Sequence, residues 1–171
     1  MTAQRGIGWA RGVGFVLGVS LAVTAVLGWR LPRGTGRLGA DVAIAFLQTG
    51  ELQLSSTSPV VMATGMRPGR SADGSVEVRN SSPSHLAVGV TAEPSSSDLD
   101  GVLFVEVTAA GERLYRGTLG GLREGSVRFA IAPLQTRTLS IRAWLPSDAE
   151  GGYEGRVDQV NLDLDPKVVA R

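Results

Sequence analysis

The chain beyond residue 40 is expected to be all-β: a jelly-roll-like antiparallel β-sandwich preceded by an N-terminal hydrophobic helix. Three observations predict it. Apolar residues recur at every second position in run after run, the period of a strand with one buried face. Clusters of Gly, Pro and Ser separate these runs at short intervals, as in sandwiches and jelly rolls. No stretch after residue 40 holds a 3.6-residue period for twelve residues, so no helix of that length is expected there.

The first forty residues read differently. The run that begins at Gly12 and ends at Trp29 holds no charged residue. Arg5 and Arg11 precede it, Arg30, Arg33 and Arg37 follow it, and no acid appears before Asp41. A positive start, an apolar middle and a small-residue exit read as an export signal. The run is also long enough to span a bilayer, which takes roughly 17–25 residues. Gly12, Gly14, Gly18 and Gly28, with no polar face, argue against a buried soluble helix. Leu38-Gly39-Ala40 offers a signal peptidase a small residue ahead of Asp41, so cleavage is expected ahead of retention as a membrane anchor. The expected division is residues 1–40 as signal peptide or anchor with linker, and residues 41–171 as the sandwich, extracellular or on the cell surface. Gly34-Thr35-Gly36-Arg37-Leu38-Gly39 fits the dinucleotide G-x-G-x-x-G pattern. It lies between an export segment and a strand, the wrong context for a nucleotide site.

The totals narrow the partners. The chain has 171 residues and a net charge of +1, yet residues 41–171 carry 12 basic and 16 acidic residues, a net of −4. Phosphate affinity comes from clustered cations, so nucleic acid is not an expected partner. The 131 residues after position 40 suffice for one core. Cysteine is absent, so the apolar core must supply the stability. One Lys against sixteen Arg fits a bacterium with a GC-rich genome.

Taken in order, Val42, Ile44 and Phe46 alternate with Ala43, Ala45 and Leu47. Leu52 and Leu54 follow a turn or bulge at Gly50, and Val60-Val61-Met62 is a short strand after a polar break. Met66-Arg67-Pro68-Gly69 is a turn, because Pro fixes one φ and Gly accepts the next. Val76 and Val78 form a strand closed by Asn80-Ser81-Ser82-Pro83-Ser84, and Leu86, Val88 and Val90 form the next. Leu103, Val105 and Val107 stop at Ala109-Ala110-Gly111-Glu112. Leu114, Tyr115 and Leu119 flank Gly117, and Gly120-Gly121 and Gly125 break the chain around Leu122-Arg123-Glu124. Val127, Phe129 and Ile131 run to Pro133; Leu139, Ile141, Ala143 and Leu145 run to Pro146. Val160, Leu162 and Leu164 form the last strand before Pro166, with Val168 and Val169 as a short extension.

Candidates for chemistry are few. His85 is the single histidine, and no H-E-x-x-H exists, so a zinc site lacks its ligands. Asp98 with Asp100, or Asp163 with Asp165, share a strand face, but calcium takes 6–8 oxygens. Serine hydrolysis would have only His85 as base and no Gly-x-Ser-x-Gly elbow. Glu77, Glu106 and Glu112 fit glycosidase carboxylates by type, yet alternating strands point such acids to water. Trp144 falls on the polar-facing register of its strand, where it is either a carbohydrate platform or a cap on a sandwich edge. Asn80-Ser81-Ser82 matches a glycosylation sequon. No catalytic, cofactor-binding or metal residue is expected, and no cofactor.

One block carries more than pattern. Phe46, Gly50-Glu51-Leu52-Gln53-Leu54, Met66-Arg67-Pro68-Gly69 and Val76-Glu77-Val78-Arg79-Asn80, in that order, resemble the TasA/camelysin family. Leu103-Phe104-Val105-Glu106-Val107, Tyr115-Arg116-Gly117, Trp144-Leu145-Pro146 and Tyr153-Glu154-Gly155 extend the resemblance over most of residues 41–165. Arg70 stands where that family has Asp after Pro-Gly, and Glu154 where it has Gln. The resemblance implies a SipW-type signal peptidase as processing partner and a jelly-roll sandwich. It implies an exported, non-enzymatic structural protein of the bacterial cell envelope or biofilm matrix. It further implies self-association by N-terminal strand donation, through an edge strand near Asp41 to Leu47. The alternatives are a sandwich tethered by the apolar run, binding a partner or glycan, and a camelysin-like metallopeptidase.

Overall fold

A computed structural model describes residues 39–47, 50–94 and 97–169. The expected N-terminal hydrophobic helix, with the run from Gly12 to Trp29, lies outside the described residues. The rest is nearly all strand, in two stacked five-stranded sheets. In chain order the elements are β1 (Ala40–Leu47), β2 (Leu52–Leu54), β3 (Val61–Met66), β4 (Ser71–Asn80), β5 (Leu86–Ala92) and β6 (Phe104–Ala109). There follow β7 (Glu112–Thr118), α1 (Leu119–Glu124), β8 (Val127–Ile131), β9 (Thr136–Trp144) and β10 (Val157–Val168).

One sheet has the order β3-β1-β10-β5-β8, the other β2-β4-β9-β6-β7. Without β1 and β2 the orders are 3-10-5-8 and 4-9-6-7, two four-stranded layers of the jelly-roll kind expected from the sequence. β2 extends one edge. β1 is different: it sits between β3 and β10, antiparallel to the first and parallel to the second. The remaining pairs are antiparallel.

The period-two residues face each other across the sandwich. Val42, Ile44 and Phe46 of β1, Val88 and Val90 of β5, and Val160, Leu162 and Leu164 of β10 are buried in one layer. Val76 and Val78, Val105 and Val107, and Leu139 and Ile141 are buried in the other. All belong to one apolar cluster. Each fully buried Val, Ile, Leu or Phe contributes about 1.5–3 kcal/mol, and without cysteine this cluster is the main source of stability.

Three elements depart from the expectation. Leu119–Glu124 is a six-residue helix where Gly120-Gly121 was expected to break the chain. Leu119 and Leu122, three apart, are both buried, and the Thr118 hydroxyl accepts from the Gly121 amide at 3.2 Å, an N-cap. The Tyr115 hydroxyl donates to the Thr118 carbonyl at 2.7 Å, and a Cβ at Gly121 would stand 2.6 Å from it. The close approach selects glycine there despite its low helix propensity. β10 continues through Pro166 instead of stopping there. The described pairing of β1 with β10 ends at Asp163, so among the described residues Pro166 is strand-paired only with β5, an edge-like setting that tolerates proline. β4 begins at Ser71, five residues before Val76, because the polar Ser71 to Ser75 stretch pairs with Trp144 to Ser140 of β9. Within it, Gly74 passes the start of β3 so closely that a Cβ would lie 1.8 Å from the Val60 carbonyl oxygen.

Candidate functional site at the start of the first strand

Two features meet where β1 begins. The first is how β1 is held. The Asp41 amide donates to the Arg156 carbonyl at 2.8 Å, and the Gly155 amide donates to the Gly39 carbonyl at 2.9 Å. On the other side the Gly65 amide donates to Asp41 Oδ1 at 2.7 Å, which satisfies this buried carboxylate. β1 is buried along its whole length, with Leu47 the least covered. It starts at Ala40, one residue ahead of the expected domain boundary. It is an interior strand in this chain, not an edge. The expectation of an edge near Asp41 to Leu47 is corrected accordingly: the alternation of Val42, Ile44 and Phe46 is equally compatible with edge and centre. What marks the centre is the row of small outward residues, Ala43 and Ala45, also buried.

The second feature is an ionic cluster beside it. Arg123, on the last turn of α1, is almost fully enclosed, its side chain 6% exposed. Its Nε donates to Asp100 Oδ1 at 2.8 Å, one Nη to the Glu93 carbonyl at 2.7 Å and the other to Asp158 Oδ2 at 3.3 Å. One guanidinium thus ties the end of β5, the β5–β6 loop and the start of β10 together. Burial pushes the Asp158 carboxyl above the ordinary carboxylate range; Ser97 and Arg123 pull it down, and the Asp100 charge adds to the rise. In register, Asp158 is the partner of Val42, so the cluster abuts β1. Outside it, Ser97, Asp98, Gly155, Arg156, Val157 and Asp158 line an open groove of about 440 Å³, bridged by an Asp98–Arg156 ion pair.

The arrangement is suited to fastening. Its one guanidinium is shared by the two carboxylates of Asp100 and Asp158, and no imidazole adjoins them. His85 sits just before β5, a seven-residue strand of roughly 20 Å, whereas Glu93 lies just after it. His85 is exposed, and its carbonyl accepts from the Val169 amide at 3.0 Å.

The other sequence candidates are scattered. Asp98 and Asp100 are taken by Arg156 and Arg123 respectively. Asp163 and Asp165 do share the outer face of β10. Asp165 pairs with Lys167 at 3.2 Å, while burial first and the Glu93 charge second raise the Asp163 carboxyl. Among the described residues no group of three or more His, Cys, Asp or Glu side chains converges as a metal requires. Glu77 and Glu112 are exposed, and Glu106 lies between Arg113 at 3.4 Å and Arg116 at 3.6 Å. Asn80 is fully buried. Its amide donates to the Ser84 carbonyl at 2.7 Å and the Ala132 carbonyl at 3.1 Å, and its Oδ1 accepts from the Ser82 amide and hydroxyl, each at 2.9 Å. The sequon is therefore a corner pin with no free amide for a glycan. Trp144 is half-buried on the outer face of its sheet, beside Phe104.

Sequence reasoning missed Arg123 and Asp158. Arg123 stood between glycine breaks, and its only signal was the Leu119–Leu122 spacing one residue earlier. Asp158 precedes the alternating run of β10 on its inward register, a position that a polar residue rarely takes unpaired. In comparisons with known proteins, no family model and no curated protein matches the chain.

Proposed function

We propose that this chain is an exported, non-enzymatic structural protein of a bacterial cell envelope or extracellular matrix, of the TasA/camelysin type it resembles, and that copies join by strand exchange at β1. The observation that carries the proposal is the place of β1. It is the first strand among the described residues, every other strand of the sandwich follows it in the chain, and it fills the space between two strands that an eight-stranded roll would pair directly. Such a strand leaves and returns without threading. Copies linked this way make head-to-tail contacts, which generate open filaments unless the rotation closes. Main-chain ladders supply affinity, and the pockets of Val42, Ile44 and Phe46 supply register. Withdrawing those three side chains into water costs roughly 5–9 kcal/mol, at about 1.5–3 kcal/mol each. Exchange is therefore slow and requires an equivalent strand to take the place.

A disulfide lock tests this. Ala43 of β1 and Gln159 of β10 are register partners on the outer face, and the chain has no cysteine of its own. In the Ala43→Cys/Gln159→Cys variant, oxidation of dilute protein closes the bond within one copy and holds particles single in electron micrographs. Oxidation after concentration gives a ladder of covalently linked copies on a non-reducing gel. Bonds only within single copies in the concentrated sample, or particles that stay single at every concentration and with added β1 peptide, overturn the proposal.

A further inference from the structure

On the opposite sheet, the outer face carries an aromatic pair inside a cluster of arginines. Phe104 of β6 and Trp144 of β9 are direct register partners, with ring centroids 5.7 Å apart and planes tilted by 36°. Both are half-buried, on a face whose other positions are polar. A cross-strand aromatic pair steadies its sheet by roughly 0.2–1 kcal/mol, which accounts for the pair and not for its surroundings. Arg116 stands over the Trp144 ring at 5.5 Å and shares Glu106 with Arg113. Arg142 donates to the Ser71 hydroxyl at 3.0 Å, and Ser71 is the register partner of Trp144. Arg67 and Arg70 stand exposed on the turn whose Pro68 bridges to Leu145, next to Trp144.

Arg116 and Arg142 thus stand in the row next to the aromatic pair, with Asp73 and Glu106 as the acids of that row, while Arg67 and Arg70 lie on the adjoining turn and Arg113 one row farther along β7. Among the described residues no ion pair engages Arg67, Arg70 or Arg142. Hydroxyls add to the face: Ser71 and Thr118 flank the aromatic pair in its own row, and Ser75, Ser140 and Thr108 lie four residues along, two outward rows away. Four strands at about 4.8 Å make a track roughly 15 Å across. Flat apolar rings, hydroxyls and guanidiniums on one track, with Arg67 and Arg70 on the turn beside it, match the chemistry of an acidic polysaccharide. Its sugar rings present apolar C–H faces to the aromatics, its hydroxyls meet Ser and Thr, and its carboxylates meet forked Arg donors. Arg116 is more than half exposed; its Nε meets Glu106 at 3.6 Å and its guanidinium stands over the Trp144 ring, which leaves its Nη donors to face a carboxylate beside the ring.

We infer that this face, centred on Trp144, Phe104, Arg116 and Arg142, binds uronate-containing glycan chains. The test is isothermal titration of the full chain in mild detergent with a galacturonate hexamer and with cellohexaose, as the neutral control. The acidic hexamer binds at least about tenfold more tightly than the neutral one, and salt weakens it. Trp144→Ala and Arg142→Gln each weaken it about tenfold, while Arg128→Gln on the other sheet leaves it unchanged. Arg142→Gln keeps the aromatic pair, and melting by circular dichroism confirms that each variant is folded. Equal binding of the two hexamers overturns the inference. So does parent-like binding by both Trp144→Ala and Arg142→Gln, or no heat of binding for the acidic hexamer at low salt.

Discussion

Replacing Arg123 with Met keeps most of the side-chain volume and removes the one cation between two acids. The consequence follows from the enclosure of the cluster. Arg123 and Asp158 side chains are 6% and 8% exposed, so water cannot replace the lost partner. Removing one member of a buried pair costs about 3–5 kcal/mol, because the other charge is left stranded. For a domain of this size that is a fall of roughly 10–20 °C in melting temperature, and a large share of a total of about 5–15 kcal/mol. The sign of the pH dependence is fixed as well. The Asp158 carboxyl is already raised by burial, and loss of Arg123 removes one of the two influences that lower it. A carboxyl with a folded pKa above its unfolded value of about 3.9 favours folding fully below that value, and this contribution is lost as pH rises through the folded one. The deficit of Arg123→Met is therefore largest at neutral pH and shrinks on acidification. Urea unfolding followed by circular dichroism across mildly acidic to neutral pH measures it. A deficit under about 1 kcal/mol at neutral pH, or one equal at both ends of the range, refutes the reasoning.

Three further outcomes are expected. Asn80→Ala strands the Ser84 and Ala132 carbonyls and costs about 2–4 kcal/mol in urea unfolding; Asn80→Asp fares no better, because a carboxylate cannot donate to them. Gly74→Ala drives a methyl group into the Val60 carbonyl and costs about 3 kcal/mol, the upper end for overpacking, read as a melting shift. Asp163→Asn removes a carboxyl whose folded pKa is raised by burial and by Glu93. It melts higher than the parent at neutral pH, and the gain disappears below the unfolded pKa; a difference that does not vary with pH counts against that assignment.

The strand-exchange and glycan readings are separable. The first depends on β1 and the β10 side that faces it, the second on the outer face of β9, β6 and β7. The disulfide lock leaves the Trp144 face untouched, and Arg142→Gln leaves the β1 ladder untouched. A matrix subunit with both would be fastened to its own copies by backbone and to surrounding polysaccharide by side chains.

By itself the sequence determined which residues form strands and which faces those strands bury. Both are local: a period of two and a turn residue are read within a few positions. Val42-Ile44-Phe46 and Leu139-Ile141-Ala143 announced themselves in this way. Only the tertiary structure decided which strand lies beside which. Alternation says that β1 has an inner face, and nothing about β3 and β10 as its neighbours. Contacts between residues far apart in the chain made the helix at Leu119, carried β10 past Pro166, and brought Arg123 to acids 23 and 35 positions away. Such pairings leave no periodic trace, because their partners are chosen by distance in space and by the high cost of burying an unpaired charge.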